Sequence, residues 1–258
     1  MHPLLNIAIN AARQASAIIV RYSDQLDRIN ITAKSAHDYS SEVDIKAEQA
    51  IIQTIHKAYP SHGIIAEETG NIDTSDECVW IIDPLDGTRN YLHGFPMYAV
   101  SIAVRIKNRL EHAVIYDPIR HECFTASRGS GARLNDHRLR VSKQTQLDGA
   151  MLGAGLPKNK AAATPEHLAT VRNLFSQCTG IRRMGSAALD LAYVASGRLD
   201  ACWAINLNLW DMAAGVLLVQ EAGGLISDLN GRETHLSTGN IVAGTPKVFK
   251  ALLGVFNS

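Results

Sequence analysis

The chain has 258 residues, more than the ~150 of a typical single domain and enough to bury a substantial core. Its 25 Lys+Arg balance 25 Asp+Glu, so it lacks the positive surplus that holds nucleic acid or an anionic membrane, and neither is expected as a partner. With 46% hydrophobic and 19% charged residues, disorder and low complexity are excluded as overall descriptions.

Residues 4–22 place Leu5, Ile9, Ala12 and Ile19 at helical spacing and predict an opening amphipathic helix. Asn6, Asn10, Arg13 and Gln14 interrupt its apolar run, so neither a secretion signal nor a membrane span is read there, and a cytoplasmic location is expected. A second helix is predicted from about Val43 to Tyr59, with Pro60 ending it. The period then changes. Ile64–Ala66 and Val79–Ile82 are short β-branched runs, each leading into acidic residues. Tyr98–Lys107 and Leu110–Tyr116 flank a Lys-Asn-Arg turn and predict an antiparallel hairpin, continued by Glu122–Ser127.

Beyond Gly149 the pattern becomes α/β. Helices are predicted at Pro165–Cys178, Ser186–Ser196 and Asp211–Ala222, between strands at Ile181–Met184, Asp200–Ala204, Leu225–Asp228 and Ile241–Ala243. A composition shift over residues 142–160 suggests a seam between an α+β half (1–140) and an α/β half (141–258). The cysteines, Cys78, Cys123, Cys178 and Cys202, have no C-x-x-C spacing and read as reduced thiols, not a zinc cage or disulfide framework.

The sharpest local feature is Asp83-Pro84-Leu85-Asp86-Gly87-Thr88, directly after an apolar strand. Carboxylates at a strand end, with a backbone carbonyl from Leu85, are the oxygen donors that Mg²⁺ favours. The Gly87 and Thr88 amides would then face an anion. A cation beside an anion cradle is what phosphoryl chemistry requires. The competing reading is a plain turn, since Asp, Pro and Gly are common turn residues. Further acidic residues near element ends tilt the balance toward a metal cluster. Glu67-Glu68 should lie beside Asp83 if the two strands are neighbours. Asp38 and Asp44 flank the second helix, where Asp38 serves equally well as a cap, and Asp211 is also what a helix dipole would favour at its start.

With these residues in place, the chain resembles the inositol monophosphatase family of lithium-sensitive, Mg²⁺-dependent phosphatases, and within it the bacterial SuhB-type branch. The resemblance rests on Glu67-Glu68, on Trp80 to Thr88, and on Trp210-Asp211-Met212-Ala213-Ala214-Gly215. Ser101 to Arg105 and Gly185 to Tyr193 also match, so it covers almost the whole chain. It implies a layered αβαβα sandwich of the sugar/inositol phosphatase type and a homodimer. It also implies two or three Mg²⁺ ions, one held by Glu67, Asp83 and the Leu85 carbonyl, one by Asp83, Asp86 and Asp211, with Glu67 near a weaker third. Asp44 and Thr88 fall where the family orients the attacking water, with Glu67 counted among the catalytic groups. Leu85, Asp86, Gly87, Thr88, Asp211 and Arg182 fall at substrate positions, Arg182 serving equally well as a surface strand residue.

Three departures concern the substrate. Arg89 stands where many relatives have Thr, Ala204 where the family has a hydroxyl-binding Glu, and Asn206 where it has Gly. The implied activity is hydrolysis of inositol 1-phosphate or a similar small polyol phosphate. Fructose 1,6-bisphosphate and 3′-phosphoadenosine 5′-phosphate are sibling substrates. A SuhB-type role as a protein partner of the transcription machinery, with catalysis secondary, is the alternative of another class. An aspartyl-phosphate mechanism is disfavoured, because it needs Asp-x-Asp and the spacing here is Asp83-x-x-Asp86. No P-loop, H-E-x-x-H or complete dinucleotide fingerprint is present.

Overall fold

Helices and sheets alternate in five layers. The computed structural model describes residues 2–35, 38–72, 75–155 and 165–256. The outer helical layer is α1 (Pro3–Ser23) and α2 (Glu42–Ala58), joined through the β1–β2 hairpin (Ile31–Ser35, Asp38–Ser41). Leu5, Ala8, Ala12, Ala15 and Ile19 of α1 and Val43, Ala47, Ile51 and Ile55 of α2 form the apolar stripes predicted from the 3.6-residue period, and both are buried. They cover one face of an eight-stranded sheet. Its strands are β3 (His62–Ala66), β4 (Gly70–Ile72), β5 (Ser75–Asp86), β6 (Ala99–Ile106), β7 (Arg109–Asp117), β8 (Glu122–Ser127), β9 (Gly131–Leu134) and β10 (His137–Arg138), in the order β10-β9-β8-β7-β6-β5-β3-β4. The one-turn helix α3 (Thr88–Leu92) follows β5 directly.

The second sheet is smaller: β11 (Met151–Gly155), β12 (Gly180–Arg182), β13 (Ala201–Ala204), β14 (Leu225–Ser227) and β15 (Ile241–Gly244), ordered β12-β11-β13-β15-β14. Strands β12, β11 and β13 run parallel, while β15 is antiparallel to both its neighbours, so the sheet is mixed. Between the sheets lie α5 (Ala187–Ala195) and α6 (Leu209–Glu221), apolar almost all round because both faces are covered. The far face carries α4 (Pro165–Phe175) and α8 (Pro246–Phe256); a short α7 (His235–Thr238) precedes β15. This is the expected αβαβα layering, a mixed α/β fold. The expected seam at 142–160 takes in the segment after β10 and the whole of β11, with residues 156–160 outside the described residues. The core around α5 and α6 joins both sheets. Among the described residues, no helix is long and apolar enough to cross a membrane.

Two pairings place the site. Strand β3 lies parallel to β5 with Ala66 opposite Ile82, so the next residue on each strand, Glu67 and Asp83, emerges at the same end. The Glu67 amide completes this by donating to the Ile82 carbonyl at 3.2 Å. The β5–β6 register then slips between Asp83 and Asp86, re-aiming the second carboxylate.

Candidate active site

Asp83 and Asp86 end β5, and Asp211 sits in the first turn of α6; one oxygen from each lies within 4.8 Å of the others. All three are buried, at 1%, 8% and 2% exposure. Three buried carboxylates at that spacing repel one another strongly unless a cation or protons intervene. Their donor set, oxygen only, suits a hard divalent ion such as Mg²⁺. These residues fit the implied metal.

Each carboxylate is fixed locally. The Leu85 amide donates to Asp83 Oδ1 at 3.0 Å, closing the turn through Pro84. Asp86 Oδ2 accepts from the Ala188 amide at 2.7 Å and from the Ser186 hydroxyl, so the first turn of α5 grips a side chain from the opposite sheet. Asp211 Oδ2 accepts the Asn208 amide at 2.7 Å, at the start of α6. Gly87 adopts φ 96°, and a Cβ there would stand 2.8 Å from the Met97 carbonyl, so only glycine lets the chain turn into α3 at this point.

Asp44 is wholly buried in the first turn of α2, far from Thr88 in sequence but bonded to it: Thr88 Oγ1 lies 2.9 Å from Asp44 Oδ1 and 3.0 Å from the Leu85 carbonyl. The Ser41 amide and hydroxyl donate to the other oxygen of Asp44. Burial pushes the Asp44 carboxyl above its ordinary value, against the pull of its hydrogen bonds from Ser41 and Thr88. Asp38 opens β2, and its side chain lies outside what is described.

A pocket of about 340 Å³ gathers these groups. Glu67, Asp83, Leu85, Asp86, Gly87, Thr88 and Asp211 all line it. Glu67 borders the three-carboxylate cluster without belonging to it. A larger groove of about 960 Å³, lined by His2, Arg109, His112 and Arg128 among others, includes none of these residues, so the smaller pocket is the candidate site.

Arg182 is exposed on the edge strand β12 and is not among the pocket's lining residues; its neighbour Arg183 is, with Arg89. Of the two neighbouring arginines, the structure brings Arg183 to the pocket wall and leaves Arg182, expected at a substrate position, on the edge strand. Strand β12 ends at Arg182, and Arg183 opens the loop that leads to α5.

Sequence reasoning also missed supporting residues. Glu48 is fully buried and accepts from the Glu68 and Thr69 amides, each at 2.8 Å, clamping the turn that follows Glu67. The signal was present: Glu48 is a charged residue on the apolar face of α2. Asp190 lines the pocket too. Burial, reinforced by the nearby charge of Asp86 and opposed by Arg183, pushes its carboxyl up to about 8. Ala204 is buried, closely packed against Gly155. Asn206 takes φ 58°, the left-handed conformation that a glycine would also adopt and that Asn tolerates.

Comparison with known proteins fits this site. The profile described as the inositol monophosphatase family matches residues 1–255. A Nus factor SuhB of Pseudomonas aeruginosa is 55% identical, the match covering 98% of this chain and 95% of that protein. A crystal structure of the extragenic suppressor protein SuhB from Bartonella henselae superposes with a TM-score of 0.97 at 41% identity, over 100% of this chain and 99% of that one. An inositol monophosphatase from Anabaena (Nostoc) gives a TM-score of 0.87 at 35% identity, over 98% and 95% of the two chains. The buried carboxylates at one end of β5, the layered fold and these likenesses agree: the chain belongs to the inositol monophosphatase family.

Proposed function

We propose that the protein is a Mg²⁺-dependent phosphomonoesterase acting on inositol 1-phosphate or a similar small polyol phosphate. Family and fold support a phosphatase. The observation that carries the finer reading is the convergence of Asp83, Asp86 and Asp211, with Glu67 bordering the same pocket. Asp83, Asp86, Asp211, Glu67 and the Leu85 carbonyl would hold two or three Mg²⁺ ions. Bound there, Mg²⁺ supplies a Lewis acid that activates water and neutralises charge on the departing ester oxygen.

The protein groups do the rest. Thr88 donates its hydroxyl proton to Asp44, which leaves its lone pairs free to accept from the attacking water and aim it at phosphorus. Asp44, made more basic by burial, is the group at the end of that relay. The Gly87 and Thr88 amides receive phosphate oxygens, and Leu85, Asp86 and Asp211 border the bound ester. The resemblance adds a homodimer and a cytoplasmic setting, neither of which alters this chemistry.

The test is a panel of polyol, sugar and nucleotide monophosphates with Mg²⁺, with and without Li⁺. Turnover that requires Mg²⁺ and falls with Li⁺ supports the reading; inertness toward every ester at saturating Mg²⁺ ends it.

The name of the P. aeruginosa relative, Nus factor SuhB, favours a second role, binding to the transcription machinery. Asp83→Asn and Asp86→Asn protein used as bait separates the two. Transcription proteins retained after turnover is lost indicate an independent binding surface; none retained by either wild type or variant removes this reading.

A further inference from the structure

The loop 205–208 carries the chain from β13 into α6, and Leu207 within it lines the pocket just ahead of Asp211. Strands β13 and β15 pair antiparallel as far as Ala204 opposite Ile241, and two further bonds join the chain beyond both strand ends. The Asn206 amide donates to the Asn240 side-chain oxygen, Oδ1, at 3.0 Å. The Leu207 amide donates to the Gly239 carbonyl at 2.8 Å. Gly239 takes φ 73°, and a Cβ there would collide with the Leu207 carbonyl, so the two backbones meet only because this residue is glycine. The segment that follows α7 is thus the seat on which the loop rests.

Neither Gly239 nor Asn240 lines the pocket, but the residue they hold does. Under the proposed function the Gly87 and Thr88 amides receive the phosphate and the carboxylates receive the cations. An apolar side chain gains nothing beside either charge, so Leu207 faces the alcohol portion of the ester. Leu207 is half-buried, while Asn206 and Asn208 on either side of it are exposed. Asn206 also turns through the left-handed conformation at φ 58°. The backbone that sets Leu207 is therefore fixed from the α7 side by these two bonds.

We propose that Asn240, together with Gly239, is a positioning residue that sets the place of Leu207 and thereby selects among alcohol portions of the ester. This rests on the phosphatase reading and deepens it. The rival is that the tie only steadies the start of α6, and with it Asp211, in which case every ester would lose turnover equally.

Asn240→Ala removes the accepting oxygen from a half-buried side chain, so the variant should fold, which a thermal melt checks. The ring of inositol 1-phosphate extends further from the phosphate than the three carbons of glycerol 2-phosphate and should depend more on Leu207. The kcat/KM ratio of the first ester to the second should therefore fall roughly two- to tenfold, through KM, the range for losing one neutral hydrogen bond. Asn240→Asp keeps the oxygen and should keep the wild-type ratio. In a Leu207→Ala background, Asn240→Ala should shift the ratio no further, because an effect exerted through Leu207 has nothing left to move. An unshifted ratio in Asn240→Ala overturns the proposal. So does an equal loss on both esters, a shift as large in Asn240→Asp, or a full further shift once Leu207 is gone.

Calorimetric titration of the same two esters, with Ca²⁺ replacing Mg²⁺ to slow turnover, runs beside the kinetics. A binding ratio that shifts in Asn240→Ala, without hydrolysis of any ester by wild type, keeps the positioning role and sinks the phosphatase reading. Hydrolysis with an unaltered ratio sinks the positioning role alone. Neither turnover nor a shifted binding ratio sinks both.

Discussion

Helices α2 and α6 begin in the same way. Each has an aspartate in its first turn, Asp44 or Asp211, whose Oδ2 accepts the amide of the residue three positions earlier, Ser41 or Asn208, at 2.8 and 2.7 Å. Each aspartate is buried; Asp211 lines the pocket, and Asp44, from a different helical layer, reaches it through Thr88. The difference lies in what else the carboxylate meets. Asp44 meets a hydroxyl, that of Thr88; Asp211 meets two other carboxylates, Asp83 and Asp86. The first arrangement is satisfied within the protein, and the second asks for a cation. A capping role and a chemical role are therefore not alternatives, because one carboxylate serves both.

The strongest way to break this comparison is to remove charge from α6 while keeping its cap. In Asp211→Asn the amide oxygen still accepts from Asn208, so the melting temperature should change little. Mg²⁺-dependent turnover should fall by at least roughly a thousandfold. Steady-state kinetics beside a thermal melt measure both, and wild-type turnover in this variant would remove Asp211 from the machinery. On the α2 side, Thr88→Val keeps the shape and deletes the hydroxyl. It leaves buried Asp44 short of a partner, costing about 1–3 kcal/mol in denaturant unfolding. It should lower kcat roughly a hundredfold with KM little altered. A stable variant with normal kcat would show that the Asp44–Thr88 bond is only structural.

Asp190 sharpens the electrostatic side. Its carboxyl is raised to about 8 in the folded chain from an unfolded value of 3.8, chiefly by burial. Between those values the folded state holds a proton that the unfolded state has released, so this residue makes stability fall as pH rises through that window. In metal-free protein, Asp190→Asn should flatten the fall and raise stability at pH 8 by on the order of a few kcal/mol. Parallel slopes for wild type and variant between pH 4 and 8 would count against this assignment. The smallest effect concerns selectivity. Ala204→Glu should shift the kcat/KM ratio several-fold toward inositol 1-phosphate over glycerol 2-phosphate. Crowding against Gly155 should cost about 1–3 kcal/mol of stability. An unchanged substrate ratio would reject this account of position 204.

What could be read in the sequence was what local physics decides. The β6–β7 hairpin was legible because strand alternation stops at Lys107 and Asn108, which take φ 47° and 62° to make the turn. Helices α1 and α2 were legible from their apolar stripes. The cluster was legible where it is local, at Asp83 and Asp86, and Glu67 followed once β3 was taken to neighbour β5. Helix α8 went unread although Val248, Phe249 and Leu252 carry a helical pattern; its apolar segment is short and lies beyond the last matched motif. Strand β4, at three residues, is too short for alternation to show, and the strand expected at 181–184 already ends at Arg182. Ser186 holding Asp86 spans 100 residues, and only tertiary packing creates it.

The central claim is that Asp83, Asp86 and Asp211 jointly bind divalent cations, and crystals soaked in Mn²⁺ test it directly. Anomalous scattering at the manganese edge should show at least one strong peak bridging those three carboxylates, lost in Asp83→Asn crystals. A clean map with no peak there at saturating Mn²⁺ would contradict the account.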